Sequence, residues 1–201
     1  MIELQHDYLS IPARTLIPFF KDLQSNDTEV ERARKMLLDW DFVLRKNSVH
    51  AGIYVAFERQ LLDNIESLKV PEEAQRYMSV GMKTAIDMLL APDGDFGQDP
   101  IRGRDEFLLQ TLSEGIDNLR EKLGDNIENW VYGQEDYKHA LIRHPLSPAL
   151  NDELREQFNV GPVPRGGNGF TLGNTGSGDN QTSGASFRIF IDTRDWDNTL
   201  G

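Results

Sequence analysis

The hydrophobic period of this chain changes once, between residues 124 and 130, and that change limits the folds open to it. Up to Gly124, apolar residues recur at intervals of three and four, which is typical of amphipathic helices. From Trp130 onward, stretches in which apolar and polar residues alternate are typical of strands. The order of the two parts predicts an α+β protein, with a helical region at residues 1–124 and strands with one short helix at residues 125–201.

Within the helical region, local signals predict where several helices begin. Pro12 is suited to a first turn, and Pro18 is expected to kink the helix that follows. Thr28 and Glu31 have the spacing of a capping box at the start of an amphipathic helix. Ser48 is expected to cap the next helix, whose inward side includes Val49, Ile53, Phe57, Leu61, Ile65 and Leu68.

Two further helices are predicted before residue 124. One starts at Pro71 and continues through Tyr77, Met78, Ala85 and Leu89. The other carries Leu108, Leu112, Leu119 and Leu123 on one side, and Gly124 ends it.

Beyond residue 130, three stretches are predicted to be strands: residues 130–146, 169–174 and 186–196. Residues 147–158 are predicted to form a short helix capped by Ser147. Three strands are few for a sheet that has to be stable by itself.

A glycine-rich stretch, "PVPRGGNGFTLGNTGSG", occupies residues 162–178. A phosphate loop needs a helix directly after its glycines, but "FTL" alternates like a strand and no Lys-Ser or Lys-Thr pair closes the loop. The calcium-binding nonapeptide needs an aspartate where Thr171 stands, and the sequence contains no second copy of the motif. The stretch is therefore interpreted as a glycine turn that leads into a strand.

Other candidate sites are weak. His139 and His144 are five residues apart, so on one strand they point to opposite faces and cannot chelate one ion. His6 and His50 have no partner at ligand spacing. The loop "DGDFGQD", residues 93–99, has Gln98 where an EF-hand needs glycine, and Arg104 where it needs glutamate. No Gly-x-Ser-x-Gly elbow occurs. We therefore assign no catalytic, cofactor-binding or metal-binding residue to this chain.

The charge balance excludes some partners. The net charge is −12, which repels phosphate backbones and anionic lipid, so neither nucleic acid nor a membrane is expected as a partner. The chain has no cysteine, which removes disulfides, thiolate nucleophiles and thiolate metal sites.

Several phrases occur together in a fixed order: "LQHDYLSIPA", "LLDWDFVLRKNSVHAGIYVAFE", "HPLSPAL", "GPVPRGGNGFTL" and "GASFRIFIDTRDWDNTL". In this order they resemble the C-terminal part of the penicillin amidase family, the penicillin and acyl-homoserine-lactone acylases. The resemblance implies an N-terminal-nucleophile hydrolase with a four-layer αββα sandwich, in which a serine hydroxyl attacks an amide and its own α-amino group acts as base. It covers nearly the whole chain.

The same resemblance places the nucleophile, the oxyanion asparagine and the calcium site of the family upstream of the matching stretch. The chain begins with Met1-Ile2, and no internal serine has the family's autocleavage context. The expectation is therefore a C-terminal fragment that is inactive alone, has no cofactor of its own, and contributes strands to an incomplete sandwich. Its expected partners are the upstream part of the same precursor and an acyl-amide substrate, in a periplasmic or extracellular location.

The residues that match the family's phrases are interpreted as fold residues, with lining of the acyl cleft as the alternative. They are Trp40, Trp130, Gly133, His144, Pro145, Gly161, Gly166, Gly167, Arg188 and Asp192. Arg188 is expected to need a partner, because an unpaired buried arginine is costly.

Two other functions stay open at this stage. The first is a non-enzymatic module that binds a protein or peptide. The second is an unrelated hydrolytic site formed by Asp195 and Asp197 with His144, since paired carboxylates can carry out acid–base chemistry.

Overall fold

The structure is a computed structural model that describes residues 6–172, 176, 178–182 and 194. In these ranges, helices come first and a two-stranded antiparallel sheet with one more helix follows, so the predicted α+β class is confirmed. In chain order the elements are α1 (Ile11–Leu16), α2 (Thr28–Leu38), α3 (Val49–Lys69), α4 (Glu72–Gln75), α5 (Met82–Leu90), α6 (Pro100–Leu123), β1 (His139–Ile142), α7 (Asp152–Phe158) and β2 (Val160–Pro164). Short 3₁₀ turns cover Ile17–Phe20, Gly94–Phe96, Ile127–Asn129 and Ser147–Ala149.

The long helices α3 and α6 pack against each other and form the centre of the core. Ser48 caps α3 as predicted, because its hydroxyl accepts a hydrogen bond from the main-chain nitrogen of Ala51 at 3.1 Å. Helix α6 begins at Pro100 and ends before Gly124, whose positive φ of 83° confirms the predicted stop. The contact also includes polar groups: Asn64 donates to Thr111 at 3.1 Å and to Glu114 at 2.7 Å.

Two predicted caps are wrong by a few residues. Asp27, not Thr28, caps α2, since its carboxylate accepts from the main-chain nitrogens of Glu29 and Val30 at 2.8 and 3.0 Å. Asn151, not Ser147, caps α7 and accepts from Leu154. In both places the residue directly before the first helical residue has a side-chain oxygen that accepts from the first turn, as a cap requires.

Two predicted helices near proline are shorter than expected. Helix α1 ends at Leu16, and the chain passes through Pro18 as a 3₁₀ turn. The helix that starts after Pro71 ends at Gln75, and α5 begins only at Met82. Tyr77, which lies between α4 and α5, is largely exposed, so its ring contributes little packing that would hold a continuous helix there.

The strand predictions are only partly correct. Within residues 130–146, only β1 is a strand, while the predicted strand at 169–174 forms a turn at Gly169 and Phe170. Strand β2 was not predicted, and it pairs with β1 so that His139 faces Pro164 and Ile142 faces Val160. The predicted strand at 186–196 lies, apart from Arg194, outside the described residues.

Residues 130–138 instead dock on the start of α3. Trp130, Tyr132 and Tyr137 are almost completely buried. The main-chain nitrogen of Tyr132 donates to the Ser48 carbonyl at 3.1 Å, and the Tyr137 hydroxyl donates to the Gly52 carbonyl at 2.9 Å. The segment therefore satisfies its main chain against a helix end rather than in a sheet. Along the described part of the chain, no helix is both long and apolar enough to cross a lipid bilayer.

Candidate functional site

The glycine-rich stretch is held against the helical region by main-chain hydrogen bonds. The nitrogen of Gly167 donates to the carbonyl of Leu44 at 2.8 Å, and the hydroxyl of Tyr132 donates to the carbonyl of Gly167 at 2.9 Å. Gly166, Gly167 and Asn168 are buried. The stretch is a turn, as predicted, but it leads into the interior and not into a strand.

Two of its glycines are needed for this close approach. A Cβ on Gly166 would lie 2.5 Å from the carbonyl oxygen of Leu44, which is well inside van der Waals contact. Gly167 has a φ of 70°, and a Cβ there would lie 2.7 Å from the Cδ1 atom of Tyr8. Any side chain at these two positions would push the turn away from the helices.

Asn168 organises the turn and joins it to α3. Its Oδ1 atom accepts from the main-chain nitrogen of Phe170 at 2.9 Å, and its main-chain nitrogen donates to Oγ1 of Thr171 at 3.1 Å. Its Nδ2 atom donates to Oε1 of Glu58 at 2.7 Å. This contact joins residues 110 positions apart in the chain. We call Glu58, Asn168 and Thr171 the buried latch.

Glu58 is a carboxylate in an apolar setting. The side chain is 3% exposed, and its Oε2 atom, like the hydroxyl of Tyr54, has no hydrogen-bond partner among the described residues. Burial raises the pKa of Glu58 from 4.5 to about 7, although the neighbouring Tyr54 and the positive charge of Arg59 act in the opposite direction. The group therefore changes charge near neutral pH.

A carboxyl group that titrates near neutral pH has the acidity of a general acid or base. The buried latch, however, closes Glu58 off from solvent, because Asn168 is itself only 2% exposed. Proton transfer to a substrate needs hydrogen-bond reach. Glu58 in this arrangement fastens the glycine turn to the helix.

A second polar cluster lies beside the buried latch, where the carboxylate of Asp179 contacts two cations. Its Oδ1 atom lies 2.7 Å from Nη1 of Arg59, and its Oδ2 atom contacts Lys122. The ring of Tyr137 lies beneath both cations, 5.4 Å from Cζ of Arg59 and 5.2 Å from Nζ of Lys122. Burial by itself raises the pKa of Asp179, but Lys122 and Arg59 outweigh it, so the net pKa lies below its usual value.

Replacing Asp179 with asparagine is expected to lower the free energy of unfolding by about 1 kcal/mol, because about a third of this cluster is open to screening water. Urea unfolding at pH 7 measures the loss. Asp152→Asn is the matched control, since Asp152 also pairs with an arginine but its side chain is 95% exposed. Equal effects of the two changes would contradict a fastening role for Asp179.

The predicted candidate residues that the structure describes do not come together. His144 accepts a hydrogen bond from the main-chain nitrogen of Leu146 on Nδ1, while Nδ1 of His139 is buried without a partner among the described residues. The residue ranges 6–172 and 178–182 hold no group of three acidic or histidine side chains placed to bind a metal ion. Arg188, Asp192, Asp195 and Asp197 lie outside the described residues, so the site predicted from them stays a prediction.

The acidic loop at residues 93–99 is a capped turn. Asp93 accepts from the main-chain nitrogen of Asp95 at 3.0 Å, and Asp95 forms an ion pair with Lys69. Phe96 is buried under the start of α6. Asp93 thus caps the turn and Asp95 forms an ion pair. This agrees with the interpretation of residues 93–99 as a loop between helices.

Several of the residues that match family phrases serve the fold, as interpreted. Trp130 is fully buried and donates from Nε1 to the carbonyl of Gly124 at 2.8 Å. Gly133 lies against the main chain of Lys46, and its nitrogen donates to the Lys46 carbonyl at 2.6 Å. Trp40 is buried, and its ring lies 5.3 Å from that of Tyr54.

Sequence reasoning missed Glu58, Asn168 and Asp179. For Glu58 a signal existed, because Tyr54, Glu58, Leu61 and Ile65 follow each other at intervals of four, three and four on the buried side of α3. A carboxylate on an apolar stripe needs a partner. No local pattern points to Asn168 or Asp179, whose partners are distant in sequence.

These features define an α+β protein whose described residues build a framework and do not assemble a nucleophile with a base. The chain matches the family model described as penicillin amidase over residues 1–201, and it belongs to the penicillin amidase family. A search of curated proteins found no match.

Proposed function

We propose that this chain is the supporting, C-terminal part of an amidohydrolase that cleaves the acyl side-chain amide of penicillins or acyl-homoserine lactones. In this proposal the nucleophile is an N-terminal serine on an upstream part of the same precursor, and this chain alone is inactive. The observation that carries the proposal is the family match along residues 1–201, since the family is one of amide hydrolases. The roles in antibiotic modification or quorum quenching, and a periplasmic or extracellular location, belong to the same proposal.

The environment of the described serines supports this division of labour. Ser10 and Ser48 cap helices through their hydroxyls, and Ser147 donates its hydroxyl proton to Asn159. An activated serine needs a base within hydrogen-bond reach. Among the described residues, no serine hydroxyl is hydrogen-bonded to a histidine ring, so none of these serines carries the features of a nucleophile.

The chemistry that the resemblance implies needs little from this chain beyond support. An α-amino group has a pKa of roughly 7.7–8.0 and can accept a proton from its own serine hydroxyl near neutral pH. Attack on the amide forms an ester between the serine and the acyl group, the C–N bond breaks and the amine leaves with the proton taken from the hydroxyl; water then hydrolyses the ester to release the acid. The part of this chain is to hold the helical layer and the glycine turn in place around such a centre.

The test is an activity assay with a chromogenic phenylacetyl or fatty-acyl amide. We expect no turnover from this chain alone, and turnover after the upstream part of the precursor is added. The control is an upstream part whose first residue, the proposed nucleophile, is changed to alanine, which should bind this chain without restoring activity. Turnover by this chain alone would refute the proposal, and so would inactivity of the assembled pair.

A further inference from the structure

A cleft lies where the chain leaves β1 and turns toward α7. It has a volume of about 670 Å³, within the range of roughly 300–1,000 Å³ that is usual for small-molecule sites. Its lining residues are Leu141, Arg143, His144, Pro145, Ser147, Pro148, Arg155 and Asn159. None of them is acidic, although the protein as a whole carries a net charge of −12. The cleft is therefore a basic place on an acidic protein.

Three hydrogen-bond acceptors around this cleft are already engaged. Oδ1 of Asn159 accepts from the main-chain nitrogen of His144 at 3.0 Å and from the hydroxyl of Ser147 at 2.5 Å. Nδ1 of His144 accepts from the main-chain nitrogen of Leu146 at 3.2 Å. The carbonyl of Ser147 accepts from Nε of Arg155 at 3.0 Å. These three groups have little capacity left to accept a hydrogen bond from a ligand.

The donors, by contrast, are open. Because Nδ1 of His144 is an acceptor, the proton of the neutral ring is on Nε2. Neither Nδ2 of Asn159 nor the guanidinium of Arg143 has a hydrogen-bond or ion-pair partner within the described part of the chain. Arg155 differs, because it already bonds the carbonyl of Leu150 and the carboxylate of Asp152. A lining with open donors and used acceptors matches an anion.

The apolar part of the lining narrows the class of anion. Leu141, Pro145 and Pro148 line the same cleft as Arg143. A guanidinium is planar and matches the two oxygens of a carboxylate. We propose that this cleft binds a small organic carboxylate, with Arg143 at the carboxylate and the three apolar residues against its hydrocarbon body. The proposal rests on the lining of this cleft and not on the proposed function.

The test measures the binding of phenylacetate and of hexanoate to the full chain, by calorimetry and by changes in NMR chemical shifts. Phenylacetamide has the size of phenylacetate without its charge, and inorganic phosphate has charge without an apolar body. We expect saturable binding of at least one carboxylate, and at least tenfold weaker binding of the amide and of phosphate. Arg143→Gln should weaken carboxylate binding at least tenfold without lowering the melting temperature, because Arg143 has no partner in the described fold. Arg102→Gln, at an arginine outside the cleft that pairs with Glu106, should leave binding unchanged.

Three results would overturn the proposal: no saturable binding of either carboxylate, equal binding of phenylacetate and phenylacetamide, or equal affinities of the wild type and Arg143→Gln. Tighter binding of phosphate than of the carboxylates would show a general anion site and would also overturn it. Since binding is measured without turnover, these outcomes are independent of whether the assembled protein cleaves amides.

Discussion

Replacing Glu58 with glutamine is expected to increase stability at pH 8 and to remove most of the stability change between about pH 4.5 and pH 7. In the folded protein, burial raises the pKa of Glu58 to about 7. In the unfolded chain the pKa of this carboxyl group has its ordinary value of 4.5. Between these two values the folded state binds a proton that the unfolded state does not. Stability from this group is therefore complete below pH 4.5, declines as the pH rises from there, and is lost once the pH has passed through 7.

The size of this effect follows from the shift in pKa. A difference of one pKa unit corresponds to about 1.4 kcal/mol, so the charged form of Glu58 costs on the order of 3 kcal/mol at pH 8. Glutamine has the shape of the neutral acid. Its carbonyl oxygen can still accept from Asn168, and its amide can donate to the hydroxyl of Tyr54, which has no partner among the described residues.

Urea unfolding of the wild type and Glu58→Gln at pH 5, 6, 7 and 8 measures this difference, and other titrating groups cancel in the comparison. Glu58→Ala is the control for packing, because it leaves Asn168 unsatisfied and should destabilise at every pH. Parallel stability curves for the wild type and Glu58→Gln would show that Glu58 does not titrate in this range.

Replacing Gly52 with alanine is expected to destabilise the protein by about 2 kcal/mol or more, although alanine is the better helix former. In an exposed helix the change would gain about 1 kcal/mol. At Gly52, however, the added Cβ would overlap the carbonyl oxygen of Trp130 and lie 3.2 Å from its carbonyl carbon. Main-chain atoms cannot turn aside as a side chain can, and overpacking in a closed contact costs about 1–3 kcal/mol or more.

The overlap at Gly52 would also disturb the neighbouring hydrogen bonds between α3 and residues 130–138. The carbonyl of Gly52 accepts from the hydroxyl of Tyr137, and the main-chain nitrogen of Tyr132 donates to the carbonyl of Ser48, the cap of α3. A shift of residues 130–138 would therefore disturb the segment that carries Tyr132, which holds the glycine turn.

Thermal unfolding measures this change. Gly94→Ala is the matched control, since a Cβ there meets nothing within 4 Å, and its effect should stay within about 0.5 kcal/mol. A Gly52→Ala variant as stable as the wild type would contradict the close packing of α3 against residues 130–138.

Together the two predictions separate the two ways in which the C-terminal part is attached to the helices. The Gly52→Ala variant tests the close packing between α3 and residues 130–138, and its effect on stability is expected at every pH. The Glu58→Gln variant tests a single buried carboxyl group bonded to Asn168, and its effect on stability is expected to depend on pH. Under the proposed function this attachment matters, because a part that supports a reaction centre has to keep its segments in register.

The sequence by itself determined what depends on near neighbours. It placed the α+β order, the cap at Ser48, the end of α6 at Gly124 and the family resemblance, because helix periodicity and caps are set within a few residues. It failed where two signals competed locally, as at Asp27 beside Thr28.

Only the tertiary structure decided where the remaining segments go. Residues 130–138 alternate like a strand, yet their rings are buried against α3 and their main chain bonds a helix end. The glycine turn enters the interior because Asn168 meets Glu58, and Asp179 meets Arg59 from 120 positions away. Such contacts depend on which surfaces the whole fold brings together, and a local pattern carries no information about a partner so distant in the chain.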